Sequence, residues 1–178
     1  MERKAKKVCE SEAEQVQLVM ANHLNGSGRL FGGQLAEWID VLAGVVARRH
    51  CNSNITTASI DSLNFKEAVH LNELMVLHGK VTYVGNTSME IRVDSYVENR
   101  DGVRRLVNTA YLTEVALDDE DRPTTVPGLI CDSEEEKQEY QAGAEEKSAC
   151  SCKISQRARI SIIKILHLQT LHMMIGKV

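Results

Sequence analysis

The sequence predicts an α+β fold in which one long helix packs against an antiparallel sheet of five strands. Two observations carry this. From Gly32 to Arg49 the apolar side chains recur at helical spacing, at Leu35, Trp38, Ile39, Leu42 and Val46. From Ile55 to Leu117 the period changes to two, in four runs separated by short breaks. Breaks that short join antiparallel neighbours, and a lone helix buries its apolar stripe against such a sheet.

The elements follow in order. Residues 1–12 are a charged lead-in. Gln15 to Met20 alternates, with Val16, Leu18 and Met20 on one side, and reads as the first strand. Asn22 to Gly33 is rich in Asn and Gly and reads as a loop. The helix follows, and Asn52 to Asn54 breaks it. Strands are expected at Thr56 to Phe65, Leu74 to Val84, Ser88 to Glu98 and Arg104 to Leu117. The third of these is the clearest: Met89, Ile91, Val93, Ser95 and Val97 alternate with Glu90, Arg92, Asp94, Tyr96 and Glu98. Residues 13–130 are therefore expected to form the domain. Residues 131–149 are an acidic extension, expected to be helical, with Ser133 as N-cap and Glu136 three residues on. Residues 150–178 are basic and apolar, with Lys153, Arg157, Arg159, Lys164 and Lys177 and no acid, and are expected to be poorly ordered.

Composition narrows the class. With 178 residues, 43% hydrophobic and 26% charged, the chain can bury a core without staples. A formal net charge of -4 argues against broad binding to nucleic acid or anionic membrane. The five cysteines are odd in number and irregular in spacing, so no disulfide framework is expected and a reducing, cytoplasmic setting is the default. His50-Cys51 lacks further ligands at metal-binding spacing, so no metal is expected. The polar N-terminus is no secretory signal, and no window holds the roughly 20 apolar residues of a membrane span.

The helix is asymmetric. Leu35, Trp38, Ile39, Leu42, Val45, Val46 and the stem of Arg49 share a face that can meet the sheet. A second stripe holds Gly33, Ala36, Asp40, Ala43, Gly44 and Ala47, small residues around one carboxylate. Small residues admit a close neighbour: a helix, a partner or a ligand. Asp40 is then either a functional carboxylate or an edge residue paired with Arg48 or Arg104. The loop before the helix is no dinucleotide fingerprint, because Phe31 stands where a glycine is needed, and no GK[ST] follows. Gly32-Gly33 places backbone N–H groups at the positive end of a helix, which suits an oxyanion, or else only shapes a turn. No GxSxG occurs, and none of the six histidines sits in a recognisable nucleophile arrangement.

Taken together, these pieces resemble the acyl-CoA hydrolase branch of the hotdog thioesterases, from about Val19 to Leu129. The motifs are Asn25-x-x-Gly28-x-x-Phe31-Gly32-Gly33, Trp38-Ile39-Asp40, Thr57-Ala58-Ser59-Ile60-Asp61 and Val84-Gly85-Asn86-Thr87-Ser88-Met89-Glu90. Val115-Ala116-Leu117-Asp118, Arg122-Pro123 and Val126-Pro127 complete the set. The resemblance implies a long helix wrapped by the five strands, edge-to-edge dimers that often form trimers of dimers, and sites at the dimer interface. It implies Asp40 as general base on water, or as nucleophile through an anhydride. Asn25 would hold the thioester or the water opposite the partner chain's aspartate, and the Gly33 N–H would stabilise the oxyanion. Phe31, Gly32 and Thr57 would line the substrate, with Thr57 orienting water, and Gly85, Thr87 and Ser88 would lie along the CoA moiety. No cofactor is implied, since coenzyme A is part of the substrate. The run Phe65 to Asn72 departs from the family at Ala68 and Asn72, where proline and glycine are usual, which touches the turn and not the chemistry. A different class of reading is a hotdog module that binds acyl-CoA or a nucleotide as a sensor; filled positions at Asn25 and Asp40 favour the enzyme. A dehydratase would want a histidine between Gly26 and Arg49, and none is there.

Overall fold

The structure is a computed structural model that describes residues 4–145 and 147. In chain order it contains β1 (Ala5–Lys7), β2 (Ala13–Leu18), α1 (Gly32–Cys51), β3 (Asn54–Phe65), β4 (Leu74–Val84), β5 (Ser88–Glu98), β6 (Arg104–Leu117) and β7 (Gly128–Ile130). Five strands form one antiparallel sheet in the order β2-β4-β5-β6-β3, and α1 contacts all five. The α+β architecture predicted from the two periodicities is the one observed. The helix ends as its sequence requires: Asn52 takes the left-handed conformation at φ 55 and its N–H closes on the Arg48 carbonyl.

The core lies between α1 and the concave face of the sheet. Leu35, Trp38, Ile39, Leu42 and Val46 are buried there against Met75, Leu77, Met89, Ile91, Val93, Ala110 and Leu112. The buried arc of α1 differs from the wheel in one respect. Ala43 and Ala47 are fully buried, whereas Val45 is 40% exposed. The sheet curls around the helix, so its outer strands reach the small residues and leave Val45 outside. Gly79 on β4 marks a close approach: a Cβ there would meet Val46 Cγ2 at 3.0 Å and Leu42 Cγ at 3.3 Å.

The convex face is covered as well. Helical turns begin at residue 134, where the Ser133 hydroxyl accepts from the Glu136 N–H at 3.1 Å. Glu139 from these turns binds Lys80 at 2.8 Å and Arg92 at 2.6 Å, and the Tyr140 ring packs on Tyr83. This cover accounts for the burial of Glu90 and Asp94 in the polar phase of β5, while Arg92, Tyr96 and Glu98 stay partly exposed. Thr82 Oγ1 donates to Glu90 Oε1 at 2.7 Å and Thr109 Oγ1 to Asp94 Oδ1 at 2.8 Å, so neither carboxylate is left bare.

Two features were not legible in the periodicity. β1 and β7 pair in parallel, and the 3-10 turn after β1 buries Val8, so part of the lead-in is structured. The strand expected at Gln15 to Met20 is observed two residues earlier as β2, and its apolar side faces outward, with Val16 and Leu18, and Met20 just beyond them, about half exposed. Among the described residues, no helix is long and apolar enough to cross a membrane. The expectation for residues 150–178 lies outside the described residues.

The contact at Gly79 yields a prediction. Gly79→Val should lower stability by about 1–3 kcal/mol through overpacking against α1. A shift of the urea midpoint to lower concentration at unchanged slope would show it; an unchanged midpoint would mean that the helix can move away.

Candidate active site

Asp40 sits in the middle of α1, half-buried, on the stripe of small residues. Its Oδ1 accepts a hydrogen bond from Thr57 Oγ1 on β3 at 2.8 Å. Neither arginine considered as a partner is bound to it: Arg104 is engaged by Glu14 at 2.7 Å and Glu98 at 2.8 Å, and Arg48 is exposed. Thr57 is brought to the helix by sheet register, because β3 is the edge strand that curls over this side of α1.

The same register brings in a residue that the motif reading missed. Thr57 pairs across the ladder with Glu114 on β6, and Glu114 pairs with Met89 on β5. Glu114 is fully buried, and its Oε1 lies 3.1 Å from Thr57 Oγ1. Its Oε2 is buried with no hydrogen-bond partner among the described residues. Burial, chiefly, and the nearby Asp40 push the Glu114 carboxyl up to about 7, against the opposing effect of the Thr57 hydrogen bond. The sequence signal was its phase: Ala110, Leu112, Glu114 and Ala116 form the buried half of β6, and one of the four is a carboxylate.

The other expected residues lie along α1 and at its N-terminus. Asn25 closes its own loop, its Oδ1 accepting from the Ser27 N–H at 2.9 Å and the Arg29 N–H at 3.2 Å. Its side-chain NH2 is the group left to donate. Asn25 and Gly32 line an open cleft of about 400 Å³ with Leu35, Phe65 and Val107. α1 starts at Gly32 without a side-chain cap, and among the described residues the N–H groups of Gly32 and Gly33 have no acceptor. The exposed Phe31 ring lies over Gly33, where a Cβ would meet its Cε1 at 2.5 Å. Gly33 and Asp40 lie on nearly the same side of the helix, but seven residues separate them, about 10 Å of rise. One chain therefore brings Thr57 to Asp40 but does not bring Asn25 or the Gly33 N–H beside it.

Gly85 and Thr87 lie in the β4–β5 connection and Ser88 opens β5, the turn being closed by the Gly85 N–H on the Ser88 carbonyl at 2.8 Å. The Thr87 carbonyl accepts from the Ala116 N–H at 2.9 Å, which ties this turn to the end of β6. Ser88 pairs with Val115, one ladder step from Glu114, and by alternation its side chain points to the opposite face from Met89. Among the described residues, no group of three or more His, Cys, Asp or Glu is arranged to hold a metal ion. His50 instead bridges Ser11 Oγ, at 3.3 Å, and the Pro127 carbonyl, at 3.4 Å.

A family model for the thioesterase superfamily matches residues 27–103. An acyl-CoA thioester hydrolase of Bacillus subtilis, itself uncharacterised, is 38% identical over 128 residues, covering 71% of this chain and 74% of its own. This chain belongs to the acyl-CoA thioesterase family. The cytosolic acyl coenzyme A thioester hydrolase of Rattus norvegicus is 34% identical over 137 residues, 75% of this chain but 36% of the relative. The chain thus spans about a third of the length of that relative and of its Mus musculus counterpart. Among solved structures, an apo-hexameric acyl-CoA thioesterase superposes with a TM-score of 0.80 at 35% identity, over 85% of this chain and 97% of the other. The acyl-CoA hydrolase of Staphylococcus aureus, solved with butyryl coenzyme A and coenzyme A, gives 0.79 at 29% identity, over 90% and 99%. That protein was also solved with an asparagine, an aspartate and a threonine each replaced by alanine, the three lying fifteen and seventeen residues apart. The hotdog architecture of the family matches the helix and five-stranded sheet described above.

Burial of Glu114 has a consequence for stability. Its folded-state pKa lies above that of an unfolded glutamate, so the folded chain holds the proton more tightly. The contribution is fully present below about pH 4.5 and is lost as pH rises to about 7. Glu114→Gln, which cannot ionise, should therefore melt several degrees above the parent at pH 8, by at most about 3 kcal/mol, and close to it at pH 4.5. A variant less stable than the parent at both pH values would contradict the burial account.

Proposed function

We propose that this chain hydrolyses the thioester of acyl-CoA to free CoA and a carboxylic acid, with Asp40 as general base on water. The observation that carries this is the half-buried Asp40 carboxylate held by Thr57 at 2.8 Å on a helix face of small residues. Its spacing supports the reading. Asn25, Asp40 and Thr57 lie fifteen and seventeen residues apart, as do the three residues replaced in the Staphylococcus aureus hydrolase. Asp40 takes a proton from water as it attacks the thioester carbon. The Gly33 N–H, without an acceptor among the described residues and at the positive end of α1, receives the carbonyl oxygen as it becomes an oxyanion. The Asn25 NH2 holds the same oxygen or the water. Collapse of the tetrahedral intermediate breaks the C–S bond and expels CoA thiolate, which takes up the proton held by Asp40 and restores the base, with Phe31, Gly32 and Phe65 beside the acyl group and Gly85, Thr87 and Ser88 beside the CoA moiety.

Two copies are required. About 10 Å along α1 separates the oxyanion donor from the base within one chain. Asp40 lines neither the cleft at Asn25 nor the second one, of about 450 Å³, at Val41, Gly44 and Ile55. The outer edge of β3 is unpaired among the described residues over twelve positions, and Ile60, Phe65 and Val41 around it are exposed. Edge-to-edge pairing of two β3 strands sets the Asn25 loop of one copy against Asp40 of the other. The hexameric state of a similar thioesterase supports self-association of this kind.

Two outcomes test this. Thiol release from acyl-CoAs ranging from acetyl to palmitoyl should fall by about 10²-fold or more in Asp40→Asn, at near-constant volume and unchanged melting temperature. Parental turnover in that variant would remove Asp40 from the chemistry, and tight binding of an acyl-CoA without turnover in the parent would favour a sensor. If the site is shared, co-refolding Asp40→Asn with Asn25→Ala should regain about a quarter of the parental activity, one hybrid interface in each mixed dimer being intact. Mixtures as inactive as the separate variants would place both residues in one chain's site.

A further inference from the structure

Thr57 carries one hydroxyl proton, and two carboxyl oxygens lie within hydrogen-bond distance of its oxygen: Asp40 Oδ1 at 2.8 Å and Glu114 Oε1 at 3.1 Å. One proton cannot serve both. The arrangement closes only if one of the two carboxyls brings a proton of its own. Asp40 is half-buried and reaches the open stripe of the helix, whereas Glu114 is fully buried with Oε2 unpartnered among the described residues. Among the described residues, its surroundings offer no positive charge. Opposite it stand Thr57 on β3 and Met89 on β5, and its same-face neighbours on β6 are Leu112 and Ala116. α1 contributes Asp40, a like charge. An ionised carboxylate there would be desolvated and short of donors, which costs far more than a neutral acid with one unpartnered oxygen.

We propose that Glu114, as a neutral carboxylic acid, is a positioning residue for Asp40. Its O–H donates to Thr57 Oγ1, and the Thr57 O–H is thereby directed to Asp40 Oδ1. This deepens the function proposed above and rests on that reading. The chain of donors does three things. It keeps Asp40 as the sole anion of the pair, fixes the carboxylate plane, and leaves Oδ2 to receive the proton of water. No proton is consumed, since Glu114 and Thr57 start and finish each turnover in the same state. When Glu114 ionises it becomes an acceptor, competes for the Thr57 proton and sets a second negative charge beside the base. The upward displacement of its carboxyl to about 7 puts that change within the working range of pH.

The test uses the full chain and two kinds of readout. Carbon-13 NMR of glutamate side-chain carboxyls should show one group titrating near pH 7 that disappears in Glu114→Gln. A Glu114 signal at the ordinary glutamate position would overturn the proposal, and this readout does not depend on turnover. In butyryl-CoA hydrolysis, kcat should fall above about pH 7 in the parent, and Glu114→Gln, whose amide N–H can donate to Thr57, should lack that limb. Glu114→Ala should lose about 10-fold in kcat, with Glu114→Gln recovering most of it. In a Thr57→Ala background the same Glu114→Ala change should cost less than about 2-fold, because the residue acts through Thr57. An equal loss with and without Thr57, or a glutamine variant as impaired as alanine, would contradict the relay. If the chain instead lacks turnover with every acyl-CoA, the function reading fails while the titration still decides the state of Glu114.

Discussion

Two carboxyl groups, one of them fully buried, share one hydroxyl, and no cation among the described residues is bonded to either. That constraint organises the site. In a low-dielectric setting like charges at this separation cannot both be ionised cheaply, so the environment divides their roles. Glu114, fully buried on β6 between Thr57 of β3 and Met89 of β5, keeps its proton to about pH 7. Asp40, nearer the open side, is left to carry the charge. Thr57 links the two, at 2.8 Å and 3.1 Å, and so ties the base on the helix to the acid in the sheet.

The scaffold supplies the precision that this requires. Asp40 is fixed by a 20-residue helix whose other side is locked into the sheet by Trp38, Ile39, Leu42 and Val46. Thr57, Glu114 and Met89 are fixed by adjacent ladders of β3, β6 and β5. Curling of the sheet toward Ala43 and Ala47 brings β3 near enough for its threonine to reach the helix. Small residues on that stripe thus have two uses. Ala43 and Ala47 admit the sheet, while Gly33 and Ala36 leave the helix start open. The loop that carries Asn25 is held by its own Asx-type hydrogen bonds and does not draw on the core.

Much of the fold was legible in the sequence because period and turn chemistry agreed. The strands at Leu74–Val84, Ser88–Glu98 and Arg104–Leu117 have the bounds that alternation marks, and β3 and α1 extend theirs by two residues. β1 and β7 were not legible: three residues are too few to show a period, and their parallel pairing joins positions more than a hundred residues apart. Val45 was placed in the core because a helical wheel knows hydrophobicity but not how far a sheet curls. Asp40 and Thr57 could be named from their motifs, but their contact depends on register between elements. Glu114 went unread for the same reason. An acid in the buried phase of a strand is conspicuous only once that strand is known to be covered, and Glu90 and Asp94 show that burial of a strand carboxylate by itself marks no site.

Hydrolysis at this site requires the thioester carbon to meet water at Asp40. The most direct measurement is a crystal structure of the chain with the ketone analogue of butyryl-CoA, in which a methylene replaces the sulfur. The carbonyl carbon should lie one water away from the Asp40 carboxylate, about 3 Å on each side of that water. The carbonyl oxygen should rest on the Gly33 N–H of a second copy. An analogue bound with its carbonyl remote from Asp40, or facing Asp40 with no second copy near, would contradict this mechanism.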